Sequence, residues 1–142
     1  MLDEKALGPV AREFAVALFK EFPAWRGHAR NEKPEGATLV VEVPSPSDPA
    51  GNSLWVSTDN DEISVGFGMF HSHFDWPDDS GWPGGALGFI RDLVADRVLI
   101  ADTVANRQWR GSTVVSPGET PEKGPDQIVY VRSWSGQLDR EV

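Results

Sequence analysis

A chain of 142 residues with 39% hydrophobic residues, six tryptophans and a mean hydropathy of -0.35 has the length and composition of one globular domain, spanning 1–142. It carries no cysteine, which excludes a disulfide framework, thiol chemistry and thiolate zinc sites. No apolar run approaches the ~20 residues that a bilayer span requires, and the acidic start MLDEK lacks the basic region of a signal peptide, so the expected location is cytoplasmic, without membrane contact.

The formal charge of -9 is unevenly placed. Residues 1–36 hold six acids and six bases and residues 103–142 five of each, whereas residues 37–102 hold eleven acids against Arg91 and Arg97 alone. An acidic surface without Lys or Arg from Lys33 to Arg91 disfavours direct contact with nucleic acid or anionic lipid and favours a basic protein partner; the plainer alternative is that it only keeps the chain in solution.

In chain order, Leu7, Val10, Phe14, Ala17, Leu18 and Phe22 follow three-and-four spacing, which predicts an amphipathic helix with Pro9 in its first turn and Pro23 at its end. Pro23 to Arg30 reads as a short first strand and NEKPEG as a turn, with His28 a surface residue. Thr38 to Val43 predicts a strand, and the prolines of VPSPSDPAGN predict a loop after it. Leu54 to Thr58 and Ile63 to Phe67 then flank the acidic turn DND as a hairpin, and with no helix between the strands the sheet is expected to be antiparallel.

If the third of these strands runs on past Gly68, period-two alternation puts Ile63, Val65, Phe67, Met69, His71 and His73 on one face. DWPDDSGWPGG is a turn-rich loop, and Ala86 to Ala95 predicts a second helix. Val98 to Val104 and Ser112 to Val115 predict strands around NRQWRG, followed by a long loop, SPGETPEKGPD, a strong strand from Gln127 to Trp134, and a turn and tail in which Gly136 suits a positive φ. The order predicts an α+β domain: an antiparallel sheet of five to six strands with two helices packed on one face.

The densest cluster of ionisable groups falls in EISVGFGMFHSHFDWPDDSGW, Glu62 to Trp82. Three readings compete for it. Two histidines at i and i+2 on a strand share a face, so His71 and His73 with Asp75 could hold zinc or another divalent metal, leaving a water free for hydrolysis. Alternatively Asp59, Asp61, Glu62, Asp75, Asp78 and Asp79, with Trp76 and Trp82 as aromatic anchors, form a partner-binding surface with no catalytic residue and no cofactor. The third reading is structural, with hydrogen-bonded histidines beside core aromatics. The histidines are also the only potential cations between Lys33 and Arg91, which would make partner binding sensitive to pH. No nucleophile elbow, phosphate loop or dinucleotide fingerprint is present.

VGFGMFHSHF resembles the JAMM metalloprotease motif, where a strand delivers HSH followed by proline, then serine and a zinc-binding aspartate. Here Phe74 stands in place of the proline, Ser80 comes one position early, and Pro83 stands in place of the aspartate. A broader resemblance covers most of residues 53–142. The HxHFD stretch (His71, His73, Phe74, Asp75) and the later SWSG stretch (Ser133, Trp134, Ser135, Gly136, with Asp139) are similar to a family of small bacterial proteins, some of which resemble immunity proteins that block a cognate toxin. That resemblance implies an α+β fold and an inhibitor role against a basic toxin. The leading expectation is thus a non-enzymatic acidic binding protein, and the alternative is a metal-dependent hydrolase using His71, His73 and a nearby aspartate.

Overall fold

The computed structural model describes residues 1–48, 51–79 and 81–142. It is an α+β arrangement with one five-stranded antiparallel sheet, in the order β1-β2-β3-β4-β5, and a second sheet of four strands, β7-β6-β8-β9. The first sheet comprises β1 (Ala29–Glu32), β2 (Thr38–Pro44), β3 (Ser53–Asp59), β4 (Glu62–Phe67) and β5 (Phe70–Asp75). The second comprises β6 (Leu99–Ala105), β7 (Gln108–Val115), β8 (Gln127–Arg132) and β9 (Arg140–Glu141). Two helices, α1 (Pro9–Glu21) and α2 (Gly85–Val94), cover one face of the first sheet, α1 over β2 and β3 and α2 over β4 and β5. Among the described residues no helix is long and apolar enough to cross a membrane.

Burial follows the sequence pattern. α1 buries Ala11, Phe14, Ala15, Leu18 and Phe19, and α2 buries Ala86, Phe89, Ile90 and Leu93, against Leu39, Val41, Leu54, Val56, Ile63, Val65 and Phe67 of the strands. Ile100 of the second sheet joins that cluster, with Val98 just before β6 and Trp134 just after β8. A smaller cluster of Leu99, Ala101, Val115, Val129 and Val131 lies on the opposite face of the second sheet, with Val142 against it. The alternation of β6 thus feeds two cores, and for this reason the last third of the chain builds its own sheet rather than adding strands to the first.

Several boundaries differ from expectation. Pro23–His28 is a 3₁₀ turn rather than a strand, because Trp25 folds back to stack on Phe22, with centroids 4.1 Å apart, and is itself buried. NRQWRG lies mostly within β7, since Asn106 and Arg107 alone make the turn, both at positive φ. The long loop after β7 is held down: Arg140 donates to the carbonyls of Pro117 (3.4 Å) and Glu119 (2.6 Å), and Pro121 is buried.

The largest correction concerns the strand carrying the histidines. It does not run through Gly68 but reverses there, with Gly68 at φ +59° and Met69 forming a two-residue turn that pairs Phe67 with Phe70. Only glycine takes the first position of such a turn without strain. The reversal changes the side-chain parity. His71 and His73 sit across from Gly66 and Ser64 on the outer face, opposite to Ile63, Val65 and Phe67 rather than in line with them.

Candidate partner-binding surface

The outer face of β3, β4 and β5 is organised in rows set by the antiparallel register. Asp59 pairs with Glu62 and Glu62 with Asp75; Ser57 pairs with Ser64 and Ser64 with His73; Trp55 pairs with Gly66 and Gly66 with His71. Because alternate residues share a face, these three rows point the same way, with acids at the hairpin-tip end and aromatics at the other.

The acidic row is extended by its neighbours in space. The Trp76 N–H donates to the Asp61 carbonyl (3.1 Å), drawing the tip of the β3–β4 hairpin against the loop after β5. In that loop the Asp79 carboxylate accepts from the backbone N–H of Asp75 (2.8 Å) and of Gly81 (2.7 Å), while Asp78 is exposed. The expected acids Asp59, Asp61, Glu62, Asp75, Asp78 and Asp79 are therefore brought to one end of the first sheet. Like charges directly across a ladder disfavour folding by ~0.2–1 kcal/mol each. Among the described residues the one counter-group paired with the row is His73, whose Nδ1 lies 3.2 Å from a Glu62 oxygen and 2.6 Å from Ser64 Oγ. Ser64 Oγ hydrogen-bonds to Nδ1 in either sense according to the ring's tautomer, and the Glu62 contact is an ion pair only when the imidazole carries its second proton.

At the aromatic end, the Trp55 indole lies over Gly66, where a Cβ would stand 2.0 Å from the ring. His71 follows at 6.2 Å between ring centroids and His73 at 5.3 Å from His71. The glycine in β4 is explained by this close approach of a ring.

Trp76 and Trp82 are placed differently from free anchors. Both are half-buried against the main core: Trp76 edge-on to Phe14 at 5.3 Å, Trp82 edge-on to Phe89 at 5.1 Å with its Nε1 donating to Asp92 (3.2 Å). The Trp76 Nε1 is buried and has no acceptor. Their loop has the turn composition of a surface segment, but α1 and α2 beneath it supply the Phe14 and Phe89 rings to pack on.

The metal set does not assemble. Among the described residues no three of His, Asp and Glu converge to hold an ion. His73 is committed to Ser64 and Glu62, and Ser80, invoked for the metalloprotease pattern, lies outside the described residues.

The family-motif residues split in role. Phe74 is buried 5.4 Å from Phe89. Ser133 donates through N–H (2.6 Å) and Oγ (3.1 Å) to Asp139, Trp134 packs between Trp25 and Phe67, and Ser45 Oγ donates to the Trp134 carbonyl (3.1 Å). The SWSG stretch is a corner that ties the second sheet to the first.

The chain's buried carboxylate lay outside the expected sites. Asp102 of β6 accepts from Ser112 Oγ, which in turn accepts from the exposed Trp109 indole N–H at 2.9 Å. Burial pushes the Asp102 carboxyl above its usual range, against the Ser112 hydrogen bond and the more distant Arg132 charge. The signal was in the sequence, an acid inside the apolar run LIADTVA. Comparison of the chain with protein-family models, curated proteins and solved structures returns no match.

Proposed function

We propose that this chain is a non-enzymatic binding protein whose acidic end docks a basic protein partner, in the form of an immunity-type inhibitor that occupies the cationic groove of a toxin. The observation that supports it is the row of carboxylates Asp59, Glu62 and Asp75, in register on three adjacent strands and without a Lys or Arg among the partners of that row. A surface serving solubility alone favours both signs interspersed, which avoids the repulsion that such a row builds in. Presented to a basic groove, the same repulsion is relieved on binding, and the concentrated negative potential speeds encounter. The HxHFD and SWSG stretches, similar to those of a family of small bacterial proteins some of which resemble immunity proteins, support the inhibitor form of this reading.

The test is a binding comparison with a basic partner captured on the immobilised chain from the cells that make it. Reversing the row with Glu62→Lys and Asp75→Lys should weaken association at least tenfold, chiefly in the on-rate, and the wild-type on-rate should fall steeply between 50 mM and 500 mM salt. Unchanged affinity in the reversed variant would overturn the proposal.

A further inference from the structure

Period two puts His71 and His73 on the same outer face of β5, an edge strand of the first sheet, and both are exposed. Their ring centroids stand 5.3 Å apart with the ring planes at 74°. Two imidazoles that share one ion, each nitrogen ~2.0–2.1 Å from the metal at a tetrahedral angle, bring their centroids to about 5 Å. The strand therefore holds the pair at the separation that one ion requires.

Each ring is steadied from a different side. His71 lies between His73 and the Trp55 indole, and the residue across the ladder is Gly66, whose missing side chain leaves that indole its place. His73 is held through Nδ1, by Ser64 Oγ at 2.6 Å and a Glu62 oxygen at 3.2 Å. In the tautomer with the proton on Nδ1, both oxygens can accept it and Nε2 keeps its lone pair. A carboxylate behind one ring nitrogen is the arrangement that orients a metal-binding histidine and raises the basicity of the other nitrogen. The contacts that keep His73 from a three-ligand hydrolase site thus fit it for a simpler one.

Donor chemistry selects the ion. Imidazole nitrogen suits copper, nickel and zinc, whereas magnesium and calcium favour oxygen, and among late first-row divalent ions affinity peaks at copper(II). No third His, Asp or Glu converges on the pair among the described residues, so the remaining coordination positions are left to water.

We propose that His71 and His73 form an open two-imidazole clip for a late first-row divalent ion, copper(II) ahead of zinc(II), with Ser64 and Glu62 positioning His73 from behind. The clip does not depend on the partner-binding reading of the acidic end.

The experiment uses the untagged full chain, ¹⁵N-labelled, titrated with copper(II), zinc(II) and magnesium(II) chlorides in a weakly coordinating buffer at pH 7.5, with calorimetry for the affinities. One equivalent of copper should broaden the amide signals of Gly66, His71, Ser72 and His73 before any others. Zinc should shift the same signals and bind several-fold more weakly, and magnesium should leave them unmoved. His71→Ala and His73→Ala should each weaken copper binding at least tenfold, whereas His28→Ala, which removes the chain's third histidine, should leave it within twofold. Glu62→Gln should weaken copper at least threefold; a merely structural role would lower its urea midpoint without moving the copper affinity of the folded protein, and that result would overturn the positioning. Copper binding unchanged in either histidine variant would overturn the clip. Magnesium matching zinc would also overturn it, by placing the cation on the acidic row, and zinc ahead of copper would overturn the choice of ion. No signal change at millimolar copper would sink the site altogether.

Discussion

The Asp96 carboxylate receives both the backbone N–H (3.1 Å) and the hydroxyl of Ser135. Asp96 lies just beyond α2 at φ +56°, so a residue that closes a helix also holds the C-terminal corner of the second sheet. Asp96→Ala removes both hydrogen bonds and puts a less suited residue in the left-handed region. A loss of roughly 2–3 kcal/mol is expected. Asp96→Gly relieves the backbone while still losing the carboxylate, so it should fall between Ala and wild type in urea denaturation. If all three coincide, the Asp96–Ser135 link contributes nothing to stability.

Gly136 offers a sharper test of the same corner. Its φ is +79°, and a Cβ there would stand 2.5 Å from Ser47. Gly136→Ala should cost at least ~1–3 kcal/mol from strain and overpacking together, and Ser47→Gly should restore the packing part but not the backbone part. Neither change should alter partner affinity in the folded fraction, because the corner carries packing rather than recognition. A Gly136→Ala protein of normal stability but lost binding would reverse that division of roles.

Gly66 and Trp55 supply the corresponding test on the outer face. With an alanine Cβ 2.0 Å from the indole, the ring must leave its place over β4. Gly66→Ala should therefore lower stability by about 1–3 kcal/mol and shift the tryptophan emission as Trp55 becomes exposed. An unchanged spectrum would mean that the ring is not held there in solution.

The elements with strong period were legible in the sequence. Both helices, the β2, β3 and β4 strands and the final strong strand could be placed from spacing, because each buries one face against a continuous core. What could not be read is where a strand pair reverses on two residues. Gly68-Met69 lacks the usual Asn-Gly or Asp-Gly signature, so alternation carried through it and inverted the face assigned to His71 and His73. The second sheet was hidden for a different reason. Adjacent residues of β6 feed two different cores, with Leu99 and Ala101 in one and Ile100, together with Val98 just before the strand, in the other, so the run resembles any buried strand. The acids that gather at the tip of the β3–β4 hairpin were legible as a charge run.

The acidic row should cost stability in the free protein. Asp75 faces Glu62 across the ladder, and its side chain has no cationic partner among the described residues. Asp75→Asn is expected to raise stability by ~0.2–1 kcal/mol at low ionic strength, with the gain shrinking toward zero at 1 M salt as screening sets in. The same variant should bind a basic partner more weakly. A variant that is both more stable and a better binder would remove the argument that this repulsion is kept for recognition.

Two carboxylates with opposite shifts predict the pH dependence of folding. Glu21, at the end of α1, accepts from Arg91 of α2, and that hydrogen bond holds its carboxyl below the usual range. Its stabilisation is present at neutral pH and lost as pH falls through the lowered value. Both side chains are partly exposed, so Glu21→Gln should cost no more than ~0.2–1 kcal/mol at pH 7. Asp102 behaves in the reverse sense. Its carboxyl is raised by burial, so the folded state holds the proton more tightly than the unfolded one; stability is greatest in acid and declines as pH rises above about 4, the ordinary carboxylate range. Asp102→Asn, which keeps an acceptor for Ser112 without a charge, should therefore raise the thermal midpoint at pH 7 and lose that advantage at pH 3. Ser112→Ala should act oppositely at pH 7, costing about 1–3 kcal/mol by leaving the buried carboxylate without its donor, and should free the Trp109 indole. If Asp102→Asn instead destabilises at pH 7 and matches wild type only in acid, the charged carboxylate is the form the fold requires. Its burial would then have to be offset by the Ser112 hydrogen bond and the Arg132 charge.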